Sequence, residues 1–220
     1  MTPDEIRANL AAVNGRIEAA CKRAGRKREE VTLVAVSKTF PAEAVTNAIA
    51  AGATHVGENK VQEAREKKPL VSGSARWHLI GHLQSNKAKD AVRIFDVIET
   101  IDSLQLAEKV AKAATAAGKR QEVLLQVNLG REEQKSGADP DAVPALARDI
   151  AAIEGLSLRG LMTIPPADRD ARSHFRAMRQ LQQRIGVAEL SMGMSEDFEI
   201  AIEEGSTIVR VGRAIFGARG

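Results

Sequence analysis

Residues 31–40 read VTLVAVSKTF, and the fold is decided here. From Val31 to Val36 the chain is apolar and β-branched, the pattern of a strand buried on both faces. Ser37, Lys38 and Thr39 then switch the polarity abruptly, and Pro41 is placed for the first turn of a helix. A lysine at the carboxyl end of a buried parallel strand sits where α/β enzymes place their chemistry. Partial burial there disfavours the charged form and leaves an amine able to attack an aldehyde. Taken by itself, Lys38 reads more plainly as a solvated residue ending a strand.

Working outward, the same strand–helix alternation recurs. The apolar, β-branched pattern predicts strands at 31–36, 54–56, 76–80, 96–101, 122–127, 156–164, 187–192 and 207–211. Helical periodicity falls between them at 41–51, 60–67, 86–92, 103–117, 141–153, 169–184 and 196–203. The unit length, roughly 20 to 35 residues, is that of a βα unit. Gly52, Gly118, Gly186 and Gly205 follow helices where a left-handed cap belongs. Upstream, Thr2-Pro3-Asp4-Glu5 supplies an N-cap, a first-turn proline and a capping-box glutamate. Ile6, Leu10, Val13, Ile17, Cys21 and Ala24 continue it as one apolar stripe, which makes Cys21 a packing residue. Eight strands alternating with helices predict an α/β (β/α)8 TIM barrel with an extra N-terminal helix, one domain over 1–220. A doubly wound open sheet is the competing arrangement.

Composition narrows the function classes. The 220 residues are 44% hydrophobic and 28% charged, ordinary for a globular domain with a substantial core. One cysteine precludes an intrachain disulfide and fits a reducing compartment. The polar opening and the lack of a long apolar run point to a cytoplasmic protein without a leader or membrane span. The net charge of +3 is dispersed and aromatics are 3%, too few to stack on bases, so nucleic acid is not an expected partner.

Candidate chemistry gathers at strand exits. LSMGMS at 190–195 and VRVGRAIFG at 209–217 carry glycines that let backbone N–H groups approach an anion, at the seventh and eighth strands where barrel phosphate sites recur. Ser191 and Ser195 add hydroxyls, although Ser195 also reads as a helix cap and Gly193 as a turn. Arg210 interrupts an apolar strand, which requires a use or an ion pair. Gly57-Glu58-Asn59 ends the second strand, and WHLIGHLQSNK at 77–87 crosses the third. His78 reads as a hydrogen-bonded core or site-wall residue. Neither it nor His82 has the company of a zinc site. The long connection at 128–140 carries Lys135, either a ligand-assisting or a solvated loop lysine. No dinucleotide fingerprint, phosphate-binding P-loop or nucleophile elbow is present.

In combination, VAVSKT with Lys38, GEN at 57–59, WHLIGHLQxNK at 77–87, SMGMSxD at 191–197 and VRVGRAIFG at 209–217 closely resemble the pyridoxal phosphate homeostasis protein family, single-domain relatives of the alanine racemase barrel. The resemblance implies pyridoxal 5′-phosphate held as an internal aldimine on Lys38. It further implies phosphate contacts from Ser191, Gly193, Ser195 and Gly212, Arg210 facing the pyridine nitrogen, and Asn59 and His78 lining the ring. Arg213 departs from the small hydroxyl residue usual after this glycine, so a backbone N–H and an added charge replace a hydroxyl contact.

An arginine donating to the pyridine nitrogen keeps that nitrogen unprotonated and the ring a poorer electron sink. The alternative is a racemase, which needs a second base opposite the lysine. In alanine racemase that base is a tyrosine reached from a partner's extra domain. This chain has no tyrosine and, ending at Gly220, is expected to lack such a domain. The expectation is a monomeric carrier of the cofactor, with cofactor-dependent apo-enzymes as recipients. A bare interaction module has no apolar patch or partner motif in its favour.

Overall fold

Helix α1 (Pro3–Arg23) precedes eight strands joined by helices. In order these are β1 (Thr32–Val36), α2 (Ala42–Ala50), β2 (His55–Glu58), α3 (Val61–Lys67), β3 (Arg76–Leu79), α4 (Ala88–Ile94), β4 (Val97–Ile101) and α5 (Leu104–Ala116). They continue as β5 (Gln121–Val127), α6 (Val143–Ala151), β6 (Leu156–Thr163), α7 (Ala171–Ile185), β7 (Glu189–Ser191), α8 (Phe198–Glu203), β8 (Ile208–Val211) and α9 (Arg213–Phe216). This computed structural model describes residues 1–132, 134–166 and 171–217, so the first two residues of the helix expected at 169–184 lie outside the described residues.

Closure settles the choice between barrel and open sheet. Val34 of β1 pairs in parallel register with His55 on one side and Arg210 on the other, so β1 is flanked by both β2 and β8. All eight strands are parallel and each neighbours the next in chain order. Alternation along the strands then sorts side chains. Val34, Val97, Leu124, Met162 and Ile208 fill a layer inside the barrel. Leu79, Ile98, Leu125, Leu161 and Leu190 face outward into the helix shell.

The N-terminal helix has a structural reason. Among the described residues only the four-residue α9 follows β8, which leaves the β8–β1 seam short of cover. The stripe of α1 fills it: Ile6, Leu10, Val13, Ile17 and Cys21 are buried against Ala35, Val209, Val211, Phe198 and Ile202. Its capping box is formed, with the Glu5 N–H donating to Thr2 Oγ1 at 3.2 Å and the Thr2 N–H to Glu5 Oε2 at 2.7 Å. Burial raises the Cys21 thiol above its ordinary value, in keeping with a packing role.

Most element ends shift by one or two residues from the sequence pattern, and two of these shifts lie beside the mouth. β2 continues two residues past Val56, because Gly57 and Glu58 stay in the ladder beside His78 and Leu79. The helix expected from residue 196 begins instead at Phe198, since Asp197 Oδ1 accepts the Met194 N–H at 2.6 Å and closes a turn before it. Among the described residues no helix is long and apolar enough to cross a membrane.

Candidate functional site

The carboxyl ends of the strands bring several of the expected residues to one mouth. Lys38 lies just beyond β1, separated from it by Ser37 alone, half-buried in a turn closed by the Phe40 N–H donating to Ser37 O at 3.0 Å. Gly212 follows β8 and lies so close that a Cβ on it would stand 3.1 Å from Val36 O. The β8 exit, with Gly212 and Arg213, is therefore pressed against the strand that delivers Lys38. Gly193 follows β7 at φ 92°, and a Cβ there would sit 2.5 Å from the Ala201 side chain. Its carbonyl accepts the Arg210 N–H at 3.0 Å, which ties the β7 exit to β8.

Beneath the mouth runs a buried polar network spanning the barrel. Arg210 is 3% exposed, and its guanidinium donates to Ser191 Oγ at 2.5 Å and to Thr163 O at 2.8 Å. Ser191 donates to Glu99 Oε2 at 2.6 Å, placing Arg210 and Glu99 3.9 Å apart. The other Glu99 oxygen is 2.6 Å from His78 Nδ1, and His78 Nε2 is 2.8 Å from His55 Nδ1. Glu99 is thus engaged at both oxygens, by Ser191 on one and His78 on the other, with Arg210 held behind Ser191. Burial opposes its charge, but the His78 hydrogen bond, the Arg210 cation and the Ser191 hydroxyl together hold the Glu99 carboxyl below the usual carboxylate range. Burial likewise lowers the Arg210 guanidinium from its ordinary value, opposed by Glu99 and Asp197. His55 is pushed down to about 4, first by burial and then by His78 and Arg76.

The expected site residues thus divide. Lys38, Gly193, Gly212 and Arg210 gather at or just below the mouth. Ser191 sits one layer lower, with its hydroxyl engaged by Glu99 and Arg210. His78 shares that layer, between Glu99 and His55. Asn59 follows β2, and its buried Oδ1 has no hydrogen-bond partner. Ser195 is half-buried in the turn before α8, two residues upstream of the Asp197 N-cap, and is therefore not the cap of this helix. Arg213 is 62% exposed and pairs with Glu196 at 2.5 Å. Lys135 pairs with Glu132 at 2.8 Å in a loop whose backbone is bonded by the Asn128 amide. Glu99 was missed, although VIETI interrupts an apolar strand with a charge as IVRV does.

The donor set suits a phosphorylated aldehyde of the pyridoxal type. An amine stands on the wall, a buried cation below it, closely packed glycine exits beside it, and an orphaned amide oxygen on β2's exit. Among the described residues no cluster of three or more His, Cys, Asp or Glu is placed to hold a metal ion.

Comparison with known proteins agrees with the fold. The family model for the alanine racemase N-terminal domain matches residues 8–220. The pyridoxal phosphate homeostasis protein of Pseudomonas aeruginosa is 44% identical, over 97% of this chain and 96% of its own. The protein of that name from Escherichia coli is 42% identical, over 98% and 97%. PipY of Synechococcus elongatus, solved with pyridoxal phosphate bound, superposes with a TM-score of 0.85 at 36% identity, covering 96% of this chain and all of its own. Bartonella henselae alanine racemase shares the fold alone, with a TM-score of 0.77 at 13% identity over 60% of its length. With this barrel, these strand exits and relatives matched almost end to end, the chain belongs to the pyridoxal phosphate homeostasis protein family, built on the alanine racemase N-terminal-domain fold.

Proposed function

We propose that this protein binds pyridoxal 5′-phosphate at the barrel mouth, covalently through the Lys38 amine, and acts in vitamin B6 homeostasis as a carrier without turnover. The observation that bears most weight is Arg210, buried as a cation below Lys38 and locked by Ser191, Thr163 and Glu99. Bound, the cofactor supplies a ring able to draw electrons from an attached amine. Arg210 limits that capacity, because a permanently protonated guanidinium can only donate to the pyridine nitrogen. Gly193, Ser195, Gly212 and Arg213 would grip the phosphate. Asn59 and His78 would wall the ring, with Ser191 fixing Arg210 from below. The relatives' name and the cofactor bound in PipY support the cofactor assignment.

Racemase activity is the second reading, favoured by the shared barrel. Against it stands the composition: with no tyrosine in the chain, the opposite face of the ring lacks the usual proton carrier. The carrier works as a cytoplasmic monomer and hands its cargo to cofactor-dependent apo-enzymes. Borohydride reduction of loaded protein followed by peptide mapping is expected to mark Lys38; a mark elsewhere overturns the anchor. Single enantiomers of amino acids incubated with loaded protein are expected to keep their optical rotation. Racemisation that vanishes in Lys38→Ala would establish the enzyme reading instead.

A further inference from the structure

The turn that carries Lys38 is strained, and its flanks are tied from outside the barrel. Thr39 has φ 70°, a left-handed conformation that β-branched residues avoid and that turns normally give to glycine or asparagine. Such a backbone persists only where its surroundings enforce it. Here the enforcement comes from α3. The Thr39 N–H donates to Glu63 Oε1 at 2.5 Å. One turn further along the helix, Lys67 donates to that same oxygen at 2.8 Å, to Ser37 O at 2.9 Å and to Glu58 Oε1 at 2.6 Å. The Ser37 hydroxyl closes the cluster on Glu58 at 2.6 Å.

Lys67 is 7% exposed and Glu58 fully buried, so this is no surface ion pair. An ammonium has three N–H donors, and all three are taken by oxygens. The bonds bracket Lys38: one grips the carbonyl of the residue before it, and Glu63 grips the amide of the residue after it. A device that merely pinned α3 to the barrel would not need to hold both flanks of Lys38, one of them the strained Thr39.

We propose that Glu63 and Lys67, seated on Glu58, are positioning residues that hold the 37–40 turn in its strained form and so aim the Lys38 amine into the mouth. The inference rests on the cofactor reading above. The bond that forms joins the Lys38 nitrogen to the aldehyde carbon, with the carbonyl oxygen leaving as water. The clamp acts on the rate of that condensation and on its equilibrium, because a misplaced amine loses the benefit of pre-orientation.

The test follows attachment of pyridoxal phosphate by its absorption change in apo-protein. Lys67→Met and Glu63→Gln are each expected to slow attachment by about tenfold or more while circular dichroism stays that of the folded barrel. Adding Thr39→Gly to either is expected to restore most of the lost rate, since glycine takes this conformation unaided. A purely structural role for α3 would not be rescued in this way. Should Lys67→Met fail to fold, Glu63→Gln with and without Thr39→Gly decides alone, as Glu63 is 26% exposed. Wild-type rates in the clamp variants, or no rescue by glycine, would overturn the inference. Failure of the wild-type protein to form an adduct on Lys38 would count against the cofactor reading instead.

Discussion

Glu99 of β4 and Arg210 of β8 stand 3.9 Å apart across the barrel interior, with the Ser191 hydroxyl hydrogen-bonded to both. Each is the other's counter-charge in a place water does not reach. Glu99→Gln keeps the shape and removes the charge, which leaves Arg210 a buried cation opposed only by the weaker field of Asp197. The expected loss is about 3–5 kcal/mol in urea unfolding, the range for breaking one side of a buried pair. A loss below about 1 kcal/mol would mean that Arg210 finds solvent or another anion.

His55 gives the protein a specific acid sensitivity. Its folded value of about 4 lies below the 6.5 of an exposed imidazole, so the unfolded chain binds the extra proton more readily. Stability is therefore undiminished by this group above pH 6.5, falls as the pH drops through 6.5, and has lost the whole contribution below about 4. Glu99, held low in the fold, adds a second loss that begins only below the ordinary carboxylate value. Melting temperatures measured from pH 7.5 to 5 are expected to decline in the wild type and to be distinctly flatter in His55→Gln. Equal slopes would remove His55 as the cause.

The difference in reach between sequence and structure has a physical basis at each of these residues. Strand and helix order was legible because burial on both faces writes an uninterrupted apolar run, as at Val31 to Val36. Lys38 and Arg210 stood out as polar breaks in such runs. The clamp could not be read this way, because Lys67 sits in a charged helix where a solvated lysine is the norm. Its burial depends on the β1–α3 packing, a long-range fact with no local trace. Thr39's backbone was equally silent, since threonine is not a residue that advertises a left-handed turn. The engagement of Ser191 by Glu99 required knowing that β4 and β7 face each other across the interior.

Gly81 offers a test of how tightly the mouth is built. A Cβ there would lie 2.2 Å from Asn59 O, a backbone atom that cannot swing aside. Gly81 O also accepts the Thr100 hydroxyl at 2.9 Å, so the loop is held on both sides. Gly81→Ala is expected to cost about 1–3 kcal/mol, the range for overpacking, by denaturant titration. Because relief must come from moving the β2 exit, cofactor affinity measured by equilibrium dialysis should weaken as well. An alanine variant with wild-type affinity would separate Asn59 from the ring.

The anchor and the phosphate grip can be separated by ligand chemistry. On the proposed anchoring, Lys38→Ala would remove the covalent bond but none of the glycine exits, so it should still prefer pyridoxal phosphate over unphosphorylated pyridoxal while yielding no reducible adduct. Ser195→Ala does the reverse: the adduct forms, and the preference for the phosphorylated ligand narrows by about tenfold, the equivalent of one hydrogen bond to a charged group. The two changes act on different ends of the ligand, so in a double mutant their effects on affinity should add. Loss of phosphate preference in Lys38→Ala itself would place the anion somewhere other than the β7 and β8 exits.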